Sequence, residues 1–166
     1  MTAHRDPAPT ADGPRSVADG ALVELRELTA DTMGAICRLA VAPDQSGFVA
    51  PNAVSLAQAL FEPKAWYRGI YADDVPVGFA MLSIDAAKPE YYLWRLMVAA
   101  GFQGRGYGRV AIARIVDHVR TLPDARELLV SWVPADGGPE PFYRGLGFEP
   151  TGEVDGVEVV ARLSLA

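Results

Sequence analysis

Three glycines alternate with larger residues in the stretch GFQGRGYGR, at residues 101–109. The ten residues before it, YYLWRLMVAA, are apolar on both faces and predict a central β-strand. From Gly106 to Leu122 apolar residues recur at helical spacing and predict an amphipathic helix. Glycines at a helix N-terminus let an anion approach the free N–H groups and the positive end of the helix dipole. The chain therefore contains a strand–loop–helix unit whose loop is a candidate cradle for a pyrophosphate.

Two common glycine-rich loops do not fit this stretch. A Walker loop ends in Gly-Lys-Ser or Gly-Lys-Thr, whereas Gly108 is followed by Arg109 and Val110. A dinucleotide fingerprint follows the first strand and precedes a strand that ends in an acidic residue. Here the glycines follow about the fourth predicted strand, and the next strand ends in Ser131-Trp132. The general pyrophosphate interpretation of Gln103–Gly108 remains, with a plain tight turn as the alternative.

The rest of the chain alternates between strand and helix patterns. Residues 21–166 predict the order β-α-α-β-β-β-α-β-α-β-β, which makes an α/β (α+β) fold with a mixed sheet and helices on both faces. Residues 1–20 contain almost nothing large enough to bury, so we predict a flexible tail before a single domain at 21–166.

Several local features of the helices are also predicted. Thr29 or Asp31 can cap the first helix, and Asn52 is expected to cap a short helix at 53–61. His118 falls on the polar face of the helix after the glycine loop, where we expect a solvated side chain. The apolar face expected on the first helix, with Cys37 as a small buried residue, comprises Met33, Ile36, Cys37 and Ala40.

The net charge of the chain indicates which classes of binding partner are expected. The chain has a net charge of -6, which argues against nucleic-acid binding and suits a cationic small molecule better. Apolar runs stay shorter than a membrane span and the N-terminus does not have the pattern of a signal peptide, so we expect a cytoplasmic protein without a membrane partner. With one cysteine, no disulfide can form within the chain, and no metal site is predicted.

Two motifs in this order carry a family resemblance. QGRGYG follows the strand end LMV, and FYRGLGF comes some thirty-five residues later. Together they resemble the GCN5-related N-acetyltransferase (GNAT) family, which implies acetyl-CoA as cofactor and a mostly antiparallel sheet of about seven strands. The resemblance makes Tyr143 the acid that protonates the departing CoA thiolate. It implies cofactor contacts for Leu96, Met97, Val98, Gln103, Gly104, Arg105, Gly106, Tyr107, Gly108, Asp136 and Tyr143. Asp136 stands where many relatives have asparagine, so the cofactor contact of that amide is in doubt.

Within the family, YYLWRLMV before QGRGYG, the strand end SWVP and the loop QSGFVAPNAVSLAQA look most like those of bacterial diamine and polyamine (spermidine/spermine) acetyltransferases. The expected acceptor is therefore a small primary amine, enclosed by the 41–62 segment, the strand near Tyr91 and the end of the next strand. The residues expected to line this acceptor site are Gln45, Phe48, Tyr92, Trp94, Ser131 and Trp132. Acetylation of another amine, such as an aminoglycoside, an amino-acid-like metabolite or a protein N-terminus, is one alternative, and a non-catalytic acyl-CoA sensor is the other.

The expected reaction is direct attack of the amine on the thioester in a ternary complex, because Cys37 has no evident activating partner. A primary ammonium must first lose a proton, since its pKa is about 10. Neither His4, in the tail, nor His118 is placed to accept it. The carboxylate candidates for the base, acting through water, are Glu24, Glu27, Asp85 and Glu90. Edge strands near the C-terminal hairpin favour a homodimer.

Overall fold

The computed structural model describes residues 20–166, so the predicted tail lies outside the described residues except for Gly20. Two short 3-10 turns, at Pro43–Gln45 and Ala100–Phe102, flank the loops that matter below. The strands are β1 (Val23–Arg26), β2 (Ala65–Ala72), β3 (Val75–Asp85), β4 (Glu90–Val98), β5 (Glu127–Trp132), β6 (Glu149–Asp155) and β7 (Glu158–Ser164). The helices are α1 (Ala30–Arg38), α2 (Asn52–Ala59), α3 (Tyr107–Arg120) and α4 (Glu140–Gly145).

The strands form one seven-stranded sheet in the order β1-β2-β3-β4-β5-β7-β6. Every neighbouring pair is antiparallel except β4 and β5, which are parallel. The predicted fold class, a mixed and mostly antiparallel sheet with helices, is confirmed. Among residues 20–166 no helix is long and apolar enough to cross a membrane. The single-domain boundary at residue 21 stays a prediction.

Helices cover both faces of the sheet, as two residues of β2 show. A Cβ atom placed on Gly69 would lie 2.9 Å from Ile36 Cδ1, so α1 packs against that position. Trp66, three residues earlier, stacks on His118 of α3 with ring centroids 4.4 Å apart. Side chains an odd number of residues apart lie on opposite faces of a strand. The helices α1 and α3 therefore lie on opposite faces.

The two ends of α1 bear on two predictions, the cap at Thr29 and the apolar face of the helix. Thr29 caps the helix as predicted, because its hydroxyl accepts from the Thr32 N–H at 3.3 Å and Thr32 bonds back. The predicted apolar face is mostly wrong: only Ile36 is buried, Met33 is 48% exposed and Cys37 is half-buried. The helix ends at Arg38, so Ala40 lies outside it and cannot share its face.

Asn52 does not cap α2 with its side chain, in contrast to the prediction. It is the first residue of the helix and is buried, with 2% of its surface exposed. Its Nδ2 donates to the Ile36 carbonyl at 2.8 Å and contacts Met97 Sδ at 3.6 Å. The amide thus joins α2 to the end of α1 and to β4.

Replacing Asn52 by alanine is expected to lower the free energy of unfolding by about 1–2 kcal/mol, because a buried hydrogen bond between two helices is lost. Urea unfolding followed by circular dichroism measures this change. Val54→Ala on the same helix is the control, since Val54 is 46% exposed. Equal unfolding midpoints for the two variants would contradict the bridging role of Asn52.

Candidate active site

The sheet opens between β4 and β5. These two strands pair only at Tyr92 with Leu129 and at Leu93 with Val130. In the pairing with β3, Leu93 and Arg95 face successive residues, so Trp94 is the extra residue of a β-bulge. From Trp94 to Val98, β4 has no partner on β5. This leaves a gap between the two strands, and the backbone of β4 from Trp94 to Val98 lies along it.

A cavity of about 1010 Å³ passes through this gap. Its floor comes from β4 and β5, and its walls come from the loop after α1, the glycine loop, the start of α4 and the β6–β7 turn. The lining residues fall in the groups 45–51, 92–98, 102–104, 106–108, 130–133, 137–139, 142–143 and 155–158, together with Val41. Its lining includes Ser131 and Trp132, neighbours on β5 whose side chains lie on opposite faces of the sheet.

The glycine loop forms an open cradle at the start of α3. Gly104 and Gly106 have φ of 75° and 81°, a left-handed conformation that glycine adopts without strain. A Cβ atom on either residue would meet nothing within 4 Å, so the space beside the backbone is empty. The first helical hydrogen bond runs from Val110 N–H to the Gly106 carbonyl at 3.1 Å, which leaves earlier N–H groups without a helical partner. This arrangement fits a pyrophosphate.

Gln103 holds the entrance of this cradle together. Its Nε2 donates to the Val98 carbonyl at 2.9 Å and to Gln45 Oε1 at 2.8 Å. Gln45 Oε1 also accepts from the Ala42 N–H at 3.3 Å. The Gln103 amide therefore ties the end of β4 to the loop after α1.

Tyr143 of α4 lines the cavity within an aromatic cluster. Its ring stacks on Trp132 with centroids 5.6 Å apart and meets Phe142 and Phe148 edge-on. The side chain is 7% exposed, and no group within residues 20–166 hydrogen-bonds its hydroxyl. Burial raises the pKa of the Tyr143 phenol above its ordinary value. The hydroxyl is therefore protonated and available to a ligand in the cavity.

Comparison with known protein families identifies the family of this chain. The model of the family described as "Acetyltransferase (GNAT) family" matches residues 48–148, more than half of the chain. The chain belongs to this family. Acetyl-CoA is the co-substrate of GNAT acetyltransferases, so the chain is an N-acetyltransferase that uses acetyl-CoA.

Several characterised GNAT acetyltransferases resemble this one at low identity. The spermine/spermidine N(1)-acetyltransferase of Bacillus subtilis (strain 168) is 24% identical over 141 residues, which cover 80% of this chain and 91% of that protein. The spermidine N-acetyltransferase of Vibrio cholerae, solved with CoA and spermine, has a TM-score of 0.67 at 15% identity, covering 86% and 95% of the two chains. The ribosomal-protein-S18-alanine N-acetyltransferase of Escherichia coli has a TM-score of 0.65 at 15% identity, covering 87% and 95%. The two structural comparisons show the GNAT fold.

Most of the cofactor and acceptor residues predicted for the GNAT site line the one cavity. They are Gln45, Phe48, Tyr92, Trp94, Leu96, Met97, Val98, Gln103, Gly104, Gly106, Tyr107, Gly108, Ser131, Trp132 and Tyr143. Arg105 and Asp136 do not line it. Arg105 is exposed, approaches the Phe102 ring at 5.8 Å and donates to the Gly101 carbonyl at 3.4 Å. Asp136 is exposed in the turn before α4, where Gly137 and Gly138 face the cavity instead.

The four predicted base candidates do not line the cavity either. Glu24 pairs with Arg26 at 2.7 Å, Glu27 with Arg68 at 3.1 Å and Asp85 with Lys64 at 2.7 Å. Glu90 is exposed at the start of β4. The first two lie at the β1 side of the sheet, and Asp85 and Glu90 lie at the end of the β3–β4 pair that is far from the gap.

Two other carboxylates do line the GNAT cavity, and the sequence analysis missed them. Asp155 and Glu158 flank the turn between β6 and β7 and face each other across it. Arg95 lines the cavity too, but its Nη1 donates to the Trp94 carbonyl at 2.9 Å and its Nη2 to Gln58 Oε1 at 3.2 Å. Burial lowers the pKa of Arg95, against the effect of the Glu158 charge. In residues 20–166 no three His, Cys, Asp or Glu side chains cluster as a metal site.

His118 lies beside a second, open cleft of about 440 Å³, on the α3 face. The prediction of a solvated His118 is wrong, because its ring stacks on Trp66 and its Nε2 is buried without a partner in the described chain. Burial, and then the charge of Arg68, lower the pKa of His118. The prediction failed because Trp66 of β2 extends beyond the apolar stripe of α3 and covers this position.

Proposed function

We propose that this GNAT acetyltransferase acetylates a primary amine of a diamine or polyamine, by direct attack in a ternary complex with Tyr143 as general acid. One observation carries the proposal: a single cavity at the β4–β5 gap is lined both by the glycine cradle and by Ser131 and Glu158, which face the other side of the sheet from Trp132. Acetyl-CoA and an amine can therefore enter from opposite sides and meet in the gap.

The side chains of β5 distinguish the two faces of the sheet at the cavity. Trp132 stacks on Tyr143 of α4, whereas Ser131, the preceding residue, faces the other way and hydrogen-bonds to Glu158. The glycine loop lies on the Tyr143 side, since a Cβ atom on Gly108 would come within 3.2 Å of Phe142. The Tyr143 side is thus the donor side, and the Ser131 side is the acceptor side.

The charges on the acceptor side support a cationic substrate. Asp155 and Glu158 place two carboxylates at the cavity, whereas Arg95 is the one guanidinium among the described residues that line it. Arg95 also donates a hydrogen bond to Gln58 of α2. Phe48 and Tyr92 add aromatic surface for an alkylammonium chain. The names of the Bacillus and Vibrio relatives agree with this choice, but the ribosomal-protein alanine acetyltransferase is equally similar in fold. The proposal therefore rests on the pocket charges more than on the fold.

The surroundings of Tyr143 are consistent with its role as the acid. A phenol of pKa about 10 gives its proton to a thiolate of conjugate pKa about 8.5 at a cost of about 2 kcal/mol in water. In this cavity burial disfavours both anions, because a thiolate beside Tyr143 also loses its hydration. Cys37 does not line the cavity, which supports direct attack over an acetylated cysteine. When bound, acetyl-CoA supplies the acetyl thioester at which the amine attacks.

Release of free CoA from acetyl-CoA across a panel of amines tests this function. We expect 1,4-diaminobutane and spermidine to give a kcat/KM at least tenfold above that of 1-aminobutane, because the second ammonium gains charge-assisted contacts. An aminoglycoside, an amino acid and a peptide N-terminus complete the panel and represent the other acceptors. Preference for one of these would replace the polyamine assignment. Acetyl-CoA binding without CoA release with any amine would favour a sensor.

A homodimer and a cytoplasmic location also stay predictions for this acetyltransferase. Light scattering of the full chain at several concentrations tests the first. We expect a mass of twice 17.8 kDa, the mass of one chain.

A further inference from the structure

A chain of hydroxyl and carboxylate groups lies on the acceptor side of the cavity. The Ser131 hydroxyl donates to Glu158 Oε2, although the two residues are 27 positions apart. They meet because Ser131 of β5 pairs with Val160 of β7, and Glu158 is two residues before Val160 on the same face. Tyr92 of β4 lies on the same face, because it pairs with Leu129, two residues before Ser131 on β5. All three residues line the cavity.

This network of hydroxyl and carboxylate groups lies on the side from which the amine is proposed to enter, where the reaction needs a proton acceptor. The amine enters as an ammonium ion and must be neutral to attack the thioester carbonyl. Tyr143, across the gap, is buried and protonated, so it cannot take that proton. Of the carboxylates in the described chain, only Asp155 and Glu158 line the cavity, and Asp155 is exposed to solvent.

We propose that Ser131 and Glu158 together accept the proton that the substrate ammonium loses before attack, a role that rests on the proposed amine acetylation. The ammonium N–H proton passes to Ser131 Oγ as the Ser131 proton passes to Glu158 Oε2, and the carboxylate becomes a carboxylic acid. The neutral nitrogen then bonds to the carbonyl carbon, and the C–S bond breaks. Tyr143 donates a proton to the sulfur, and the second proton lost from nitrogen returns through solvent to the phenolate. Glu158 releases its proton to solvent, which restores the site.

Other charged and titratable groups face Glu158, and they enter the pH dependence. Asp155 faces it across the β6–β7 turn with the same charge. Arg95 and Tyr92 face it from β4, and the Glu158 charge acts on both. Burial raises the pKa of Tyr92, although the nearby Ser131 hydroxyl opposes this. Tyr92 therefore stays a neutral hydroxyl at neutral pH, so the ionisable groups beside Glu158 there are Asp155 and Arg95.

The test measures kcat at saturating diamine for wild type, Glu158→Gln, Ser131→Ala and the double variant, between about pH 6 and pH 10. We expect each single variant to lower kcat about 10²-fold at pH 7, the lower end of the range for general acid–base catalysis, with an unchanged KM for acetyl-CoA. The deficit should shrink as the pH approaches the pKa of the amine, because the substrate then arrives neutral. The double variant should be no worse than either single one, because the two residues act as a unit.

Glu153→Gln is the matched control, since Glu153 is an exposed carboxylate on β6 outside the cavity, and it should behave as wild type. A Glu158→Gln variant that raises only the KM for the amine would show that Glu158 binds the ammonium without accepting its proton. A deficit that is constant with pH would show a structural role, and either result overturns the inference. A wild-type protein that acetylates no amine would overturn the proposed function as well.

Discussion

Replacing Tyr143 by phenylalanine is expected to lower kcat by about 10²- to 10⁴-fold, the range for general acid–base catalysis. Phenylalanine keeps the ring that stacks on Trp132 and packs against Phe148, so the fold and the cavity wall should persist. Only the hydroxyl that is proposed to protonate the departing sulfur is removed. The dissociation constant of acetyl-CoA, measured by calorimetry, should therefore stay within about twofold while turnover falls.

Two comparisons make the Tyr143 result specific. Tyr67→Phe on β2 removes a hydroxyl outside the cavity and should leave kcat unchanged. Tyr107 is a second buried tyrosine that lines the cavity, at the start of α3. A loss of turnover in Tyr107→Phe, with wild-type turnover in Tyr143→Phe, would transfer the role of acid to Tyr107.

The pH profile adds a prediction about the sign of the Tyr143 effect. A phenol acts as an acid only while it is protonated, so activity is retained below its pKa and lost above it. Burial raises the pKa of Tyr143 above the ordinary phenol value of 10.0. Turnover of the wild type should therefore show no loss from Tyr143 ionisation as the pH rises to about 10.

The glycine loop, with the strand before it and the helix after it, could be predicted from sequence because its signals are local. Gly104 and Gly106 are adjacent in the chain to the strand and the helix that they join, and the buried stripe of α3 follows from its helical period. The sequence order also indicated the mixed sheet. The glycine loop and the helical stripe depend only on residues that are close together in the sequence.

The acceptor side depends on contacts that no local pattern reveals. Strand β7 pairs with β5, and β6, which precedes β7 in the sequence, lies at the sheet edge. Glu158 of β7 therefore contacts Ser131 of β5. Asn52 was interpreted as a cap because asparagine favours that position, yet its amide reaches Ile36 in another helix. In both cases a polar residue with an ordinary local explanation has a partner that only the tertiary fold supplies.

Replacing Gly106 by alanine should weaken acetyl-CoA binding by about 10- to 150-fold, which corresponds to about 1.5–3 kcal/mol. Gly106 is the N-cap residue of α3 and has a φ of 81°. The space beside it, where a Cβ atom would lie, is empty. A methyl group there occupies the volume through which a pyrophosphate reaches the N–H groups of the helix. The dissociation constant of CoA, measured by calorimetry, reports this loss directly.

Gly152→Ala separates this effect from backbone strain. Gly152 has a φ of 91° and also has no atom within 4 Å of a Cβ position, but it lies in β6, away from the cavity. A left-handed alanine costs about 1–2 kcal/mol wherever it occurs, so both variants should lose similar thermal stability. Only Gly106→Ala should lose affinity for CoA. Equal CoA affinity in the two variants would mean that the glycines only shape a turn, and the pyrophosphate would have to bind elsewhere along the cavity.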